Sequence, residues 1–329
     1  MTDLHVAYAG HLSDRVYDLY SRATRPTGLE FDFTPLPPVE AFRRMLEGEF
    51  EVGELSLSTY IIHRSRGDER FIAIPAFPSR VFRHRAIYVN TRAGIQAPGD
   101  LRGRKVGVPE YQMTAAVWAR GALQHEYGLD PKEMIWVTGG LKEAGRRPLV
   151  AVDVPGVSVE PVHDRSLNDL LLAGEIDAII APHAPPAFDA GDPRVARLFP
   201  DYRQVERAYF ERTRIFPIMH TVVLKRSFYD EVPWAAASLF DAFHEAKQNC
   251  LQRLRAVEPL PISLPWIDVE VEATRTLFGD DFWPYGVEEN RLVLETACRY
   301  VEEQGLGRSL DVDDLFVTER AESKRSTVP

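Results

Sequence analysis

Residues 100–140 read DLRGRKVGVPEYQMTAAVWARGALQHEYGLDPKEMIWVTGG. A short run of strand formers from Lys105 stops at Pro109, and apolar residues at helical spacing then run from about Thr114 to Tyr127. Gly128 is placed to cap that helix, Pro131 to open the next element, and Met134 to Val137 is again strand-like. Strand, loop, helix and strand in so short a span predict a sheet flanked by helices. The first turn of such a helix carries unpaired N–H groups and partial positive charge, which makes the loop before Thr114 a ready anion site.

The same alternation extends in both directions. Upstream, Leu4 to Ala9 alternates as a strand, Gly10 to Ser13 breaks it, and a helical pattern begins near Asp14. Strands are expected over Leu29–Leu36, Phe50–Leu57, Phe71–Phe77 and Arg85–Asn90, with a helix over Val39–Leu46. Downstream, strands are expected over Val157–Val162, Ile176–Ala181 and Ile218–Leu224, with a short helix at Leu167–Ala173. Beyond these the pattern turns helical: Trp234–Leu254, Asp268–Leu277 and Glu288–Gln304, before a polar, frayed tail at Glu319–Pro329. The alternation implies parallel-type sheets. At 329 residues the chain exceeds the size at which one core stops growing, so two lobes are expected. The division falls at 1–84 with 225–329 for a discontinuous first α/β lobe, and 85–224 for the second. No Gly/Ser-rich tether separates them, so structured strands make the crossings.

Composition narrows the function classes. A net charge of -10 repels nucleic-acid phosphates and anionic lipid, which excludes nucleic acid and membrane as expected partners. A small anion remains compatible, because a few local cations can hold it inside an acidic protein. Two cysteines, Cys250 and Cys298, predict no disulfide framework. The opening Met1 to Tyr8 has no basic segment followed by an apolar one, and no run approaches about 18 apolar residues, so the expected compartment is the cytoplasm. A homo-oligomer is compatible with all of this. There is no GxSxG, Walker loop, dinucleotide fingerprint or CxxC.

The Asp100–Gly140 stretch and GEIDAIIAPHAPPAF, Gly174 to Phe188, resemble the second lobe of type II periplasmic solute-binding proteins of the taurine, nitrate and thiamine-precursor group. More specific blocks are FPSRVFRH (Phe77–His84), EYQMTAAVWARG (Glu110–Gly121), TRIFPIMH (Thr213–His220), VPWAAASLFDAFHEAK (Val232–Lys247) and FGDDFWPYGVEENR (Phe278–Arg291). With Gly53–Ser58, these resemble the 4,5-dihydroxyphthalate decarboxylases, soluble enzymes with that two-lobed α/β, periplasmic-binding-protein-like fold. The resemblance covers nearly the whole chain. It implies non-oxidative loss of CO2 from a hydroxylated aromatic dicarboxylic acid, giving a dihydroxybenzoate. The alternative is a non-catalytic binding protein of the transporter type for a small aromatic or organic anion.

Ligands in open α/β folds sit beyond the carboxyl ends of strands, so the loops just after strands supply the candidates. Catalytic candidates are His11, Glu54, His84, His183 and His220, since imidazoles titrate near neutrality and a carboxyl can be tuned by burial. Candidates for substrate binding are Ser56, Ser58, Arg80, Arg83, Arg85, Glu110, Tyr111 and Thr114. The three arginines form a basic knot whose forks match carboxylates, although they would serve equally as inter-lobe salt bridges. Ser58 and Thr114 are as well suited to capping helices. The substrate expected is a small aromatic carboxylate. No cofactor is expected; a divalent metal held by histidines and Glu54 is the other option, without HxH or HxxxH spacing behind it. Trp283-Pro-Tyr-Gly286 marks the resemblance without a chemistry of its own.

Overall fold

A computed structural model describes residues 3–256, 260 and 262–317 of the chain. The tail Glu319–Pro329 lies outside the described residues. Two sheets organise the fold. The first is built on β1 (Leu4–Gly10), β2 (Leu29–Pro35), β3 (Val52–Ser56) and β4 (Phe71–Arg80), with α1 (Tyr17–Tyr20), α2 (Pro38–Leu46) and α3 (Leu57–Ser65) between them. The chain then crosses into β5 (Ile87–Asn90), β6 (Lys105–Val108), α4 (Thr114–Tyr127), β7 (Ile135–Thr138), β8 (Ser158–Pro161), α5 (Leu167–Ala173) and β9 (Ala178–Ile180). After α6 (Pro186–Asp189), β10 (Val195–Arg197) and α7 (Tyr202–Thr213), it returns through β11 (Ile218–Lys225) to the first sheet. The final helices are α8 (Arg226–Glu231), α9 (Trp234–Leu254), α10 (Ile267–Phe278) and α11 (Arg291–Glu303).

The strand orders are β2-β1-β3-β11-β4 and β10-β5-β9-β6-β7-β8. Neither sheet is purely parallel, contrary to the sequence expectation. In the first, β1 runs parallel to β2 and β3, but β11 is antiparallel to both β3 and β4. In the second, β6 to β9 pair in parallel while β5 is antiparallel to β9. Each inserted antiparallel strand is a crossing strand, arriving from the other half of the molecule. Opposite β11, the β4 register breaks between Ile74 and Ser79. Pro75 and Pro78 lie in that gap, and a proline has no N–H to give to a ladder.

The first sheet buries Val6, Tyr8, Val52, Leu55, Val222 and Leu224 completely or nearly so, sealed by α9 through Leu239 and Phe243. A smaller cluster, including Leu167, Leu171, Ile176 and Ile179, fills one side of the second. Helix α4 has the predicted bounds, and Gly128 ends it at φ 64°, the left-handed region that glycine enters without strain. Helix α7 escaped the sequence reading because only Glu206, Tyr209 and Phe210 of its residues are buried. Its apolar stripe is too thin to show a period.

Helix α11 ties the halves together. Tyr300 packs edge-on against Trp118 of α4, and a Cβ on Gly121 would lie 2.1 Å from the Tyr300 ring. Arg120 Nε donates to Gln304 Oε1, and Gln304 Nε2 donates to the Val117 carbonyl, both at 2.9 Å. Trp118 Nε1 in turn donates to the carbonyl of Ile218, at the start of β11. Cys250 and Cys298 are both free and buried.

Candidate functional site

The carboxyl ends of β1 and β3 and the first residues of β11 converge on one carboxylate. Glu54, only 1% exposed, accepts hydrogen bonds at Oε1 from the His11 backbone N–H (3.0 Å) and the Tyr8 hydroxyl (3.2 Å). Its Oε2 lies 2.9 Å from Nδ1 of His220. Antiparallel pairing sets His220 opposite Ser56 and Val222 opposite Glu54, so the imidazole reaches the carboxylate along the sheet diagonal. The lapse of β4 pairing beside His220 lies where sheets commonly bend next to functional sites. Phe42 of α2 meets the imidazole edge-on at 4.8 Å. An ionised carboxylate can only accept, so the Nδ1 proton points to Glu54 and Nε2 is left to exchange protons with a ligand.

Beside this pair, three hydroxyls lock the start of α4 onto the start of α3. Thr114 Oγ1 lies 2.7 Å from Ser56 Oγ and 3.1 Å from Ser58 Oγ, and accepts the Ser58 N–H at 3.0 Å. Ser58 Oγ donates to the Gln112 carbonyl at 2.6 Å. Neither Ser56, the residue before α3, nor Met113 before α4 caps its helix with a side chain. Thr114 and Ser58 therefore join the helices rather than capping their own. Two helix N-termini face one buried hydroxyl cluster, an arrangement that favours negative charge.

The basic knot separates into three different roles. Arg80, 4% exposed, spends its guanidinium on the carbonyls of Phe216 (3.2 Å) and Pro284 (2.7 Å) and on Asn290 Oδ1. Burial brings its pKa down to about 9. It fastens the WPYG loop to β4 through both terminal nitrogens, while its Nε is buried without a partner. Arg85 is exposed over the Tyr202 ring, while its backbone N–H donates to Glu206. Arg83 differs: it is buried, and its Nε and Nη2 meet only the sulfur of Met219, at 3.1 and 2.6 Å. A thioether is a weak acceptor, so Arg83 is a cation with binding capacity in reserve.

His84 is not brought to the other candidates. It sits 4% exposed among Tyr127, Phe199 and Tyr209, neither ring nitrogen has a partner, and the void beside it has no room for water. Burial lowers its pKa to about 4. Glu110 is also occupied: it accepts from Arg146 Nε and Nη2, from Leu149 N–H and from Gln112 Nε2. That makes it the latch of the 139–157 loop. The Tyr111 ring is buried under the Arg120 guanidinium, 3.7 Å from its centroid, and its hydroxyl has no partner.

His183 follows β9 and is exposed. Desolvation, then the charges of Lys142 and Arg83, and last His11, lower its pKa, against an opposing pull from Asp189. Basic side chains from the loop after β1, the crossing segment and the 139–157 loop thus lie near enough to act on His183, in a protein of net charge -10. Sequence reasoning missed Lys142, which has no motif around it, and Tyr8, whose position in an alternating strand marked it only as core. Among the described residues no group of three or more His, Cys, Asp or Glu is arranged to hold a metal ion, and no helix is long and apolar enough to cross a membrane.

Two sheets with exchanged antiparallel strands, and a polar site at their strand ends, define a two-lobed periplasmic-binding-protein-like fold. The chain is similar in fold to the periplasmic aliphatic sulphonate binding protein SsuA of Escherichia coli, with a TM-score of 0.53 at 15% identity, over 95% of this chain and 97% of that one. It is likewise similar to the ligand-binding component of an ABC-type import system from Staphylococcus aureus, with a TM-score of 0.52 at 11% identity, over 98% and 99% of the two chains. No family model matches. In sequence the chain is 37% identical over 320 residues to a 4,5-dihydroxyphthalate decarboxylase of Comamonas testosteroni, spanning 96% of this chain and 97% of that protein. It is 37% identical over 204 residues to the protein of the same name from Pseudomonas putida, covering 61% and 79% respectively. The chain belongs to the 4,5-dihydroxyphthalate decarboxylase family.

Proposed function

We propose that this protein is a carboxy-lyase that removes CO2 from a hydroxylated aromatic dicarboxylate of the 4,5-dihydroxyphthalate type, releasing a dihydroxybenzoate. The observation that carries the reading is identity at 37% along 96% of the chain to a protein with that activity in its name. The Glu54–His220 pair supplies the chemistry. Loss of the proton from the ring hydroxyl para to a carboxylate moves electron density onto the carbon that bears that carboxylate. Protonation of this carbon, cleavage of its bond to the carboxylate and departure of CO2 then restore the aromatic ring as a phenolate, which takes a proton from water to give the dihydroxybenzoate. The proton taken from the hydroxyl and the proton given to carbon are both within the capacity of His220 Nε2, with Glu54 holding Nδ1–H and stabilising the imidazolium.

The second carboxylate needs cations and donors that do not move. In this reading Arg83 and Lys142 hold it, His183 and His11 line the same space, and the Ser56, Ser58 and Thr114 hydroxyls face the ring substituents. His84, Arg80, Arg85, Glu110 and Tyr111 act around the site rather than on substrate. We assign residues 1–84 and 225–329 to one lobe and 85–224 to the other, with the site between. The free Cys250 and Cys298 suit a reducing compartment, and we place the protein in the cytoplasm.

Incubating the protein with 4,5-dihydroxyphthalate while following ring absorbance and released CO2 tests the reading. Conversion with stoichiometric CO2 supports it. Tight binding without spectral change would replace it with the binding-protein alternative.

A further inference from the structure

We propose that Tyr8 is a positioning residue for the reaction, its hydroxyl holding Glu54 in the orientation from which the carboxylate presents His220. The proposal rests on the reading of the Glu54–His220 pair given above. Tyr8 is wholly buried on β1, its ring packed against Phe31, Phe33 and Phe243 at centroid distances of 5.3, 4.8 and 5.4 Å. Those contacts leave the phenol one direction, toward Glu54 Oε1 at 3.2 Å. The same oxygen takes the His11 N–H, and the other oxygen takes His220. The carboxylate is thus held at both ends by groups from β1, its following loop and β11.

What is missing around Glu54 sharpens the role. Among the described residues no Lys or Arg bonds to it, although it is buried. Its charge is stabilised by one phenol, one amide and one imidazole. Tyr285 is the other titratable side chain whose charge acts on Tyr8, and its own hydroxyl is buried without a partner. Arg15 and Arg80 act on Tyr285 rather than bonding to Glu54. Burial and the Glu54 charge push the Tyr8 phenol well above its ordinary range, so it remains a donor throughout the working range of pH. Removing that one donor makes the carboxylate a stronger acceptor, and the Glu54–His220 pair then holds its shared proton more tightly.

The decisive measurement is an NMR titration of the His220 imidazole, run without substrate, in the wild type and in Tyr8→Phe, Tyr285→Phe and Glu54→Gln. Tyr8→Phe keeps the ring and its packing. It is expected to raise the apparent pKa of the pair by about half a unit or more, to move the acid limb of the kcat profile in the same direction, and to lower kcat several-fold with little change in KM. Tyr285→Phe removes a hydroxyl that bonds nothing and is expected to leave the titration in place. Incorporating 3-fluorotyrosine at position 8 strengthens the donor and is expected to shift the pair downward, which covers the case of a poorly folded phenylalanine variant. A Tyr8→Phe titration and pH profile superimposable on the wild type would overturn the proposal. Failure of the underlying reading looks different: Glu54→Gln and His220→Gln would turn over substrate normally, whatever the titration of Tyr8→Phe shows.

Discussion

The sulfur of Met219 lies 2.6 Å from Nη2 of Arg83, and no carboxylate bonds that buried guanidinium among the described residues. Burial depresses Arg83 to about pKa 10, which still leaves it charged at neutrality. A cation so placed binds an incoming carboxylate more strongly than a cation already paired, because no existing ion pair has to be broken. Arg83→Ala is expected to raise KM and lower kcat/KM by about 10- to 100-fold. Arg85→Ala, on the surface over Tyr202, should stay within about two-fold of wild type. Steady-state kinetics on both variants decides between them.

Glu54 and His220 are expected to govern kcat. His220→Gln removes the only group of the pair that can carry a proton to and from a ligand, and kcat should fall by about 10²-fold or more. Glu54→Gln keeps the size of the side chain but reverses the demand on Nδ1, favouring the wrong tautomer, and a comparable loss is expected. Calorimetric binding of substrate should persist in both, separating lost chemistry from lost recognition.

Two buried groups, His84 in the crossing segment and Glu206 on α7, respond to pH in opposite directions. His84 is lowered from 6.5 to about 4, so between those values the unfolded chain binds the extra proton and acid removes on the order of 3 kcal/mol of stability. Glu206 is raised from 4.5 to about 7 by burial, so over that range the folded chain holds the extra proton and stability is lost as pH rises. The two slopes offset each other between about pH 4.5 and 6.5. His84→Gln should unmask the loss on alkalinisation and Glu206→Gln the loss on acidification. Urea midpoints measured from pH 4 to 8 report both.

Arg80 and Glu110 are expected to matter for structure. Arg80→Ala leaves the Phe216 carbonyl and Asn290 Oδ1 without their Arg80 donor, and the Pro284 carbonyl with Asn290 Nδ2 alone, at a cost of roughly 3 kcal/mol in chemical denaturation. Glu110→Gln weakens the hold on Arg146 and Leu149 and should speed amide exchange selectively across residues 139–157. If Lys142 on that loop holds substrate, KM rises in step with exchange.

Gly121→Ala tests the tie between α4 and α11. The added methyl has no space beside the Tyr300 ring, so α11 must shift. A destabilisation of about 2 kcal/mol is expected, and Tyr300→Leu in the same background should recover part of it.

The sequence carried the element order because strands alternating at period two and helices at period 3.6 bury enough apolar surface to show it, as Leu29–Pro35 and Pro38–Leu46 illustrate. The direction of β11 was not legible. A strand's pattern records which faces are buried, and parallel and antiparallel neighbours bury the same faces. Glu54 and His220 were both among the candidates, but they stand 166 positions apart and nothing between them marks them as partners. Arg80, Arg83 and Arg85 show the same limit: three similar side chains within six positions end on backbone carbonyls, on a thioether and on the surface. Their fates are set by residues 216, 219 and 284, which local reading does not reach.

The interleaved strand order also sets a sequence of events during synthesis. All six strands of the second sheet come from one continuous stretch, residues 87–197, whereas the first sheet lacks its fourth-ranked strand until residue 225 has left the ribosome. Until then only β2, β1 and β3 can pair, and β4, whose neighbour in the sheet is β11, waits unpaired while the later-made half closes beside it. Insertion of β11 delivers His220 to Glu54, so the two side chains meet only when the last strand is in place.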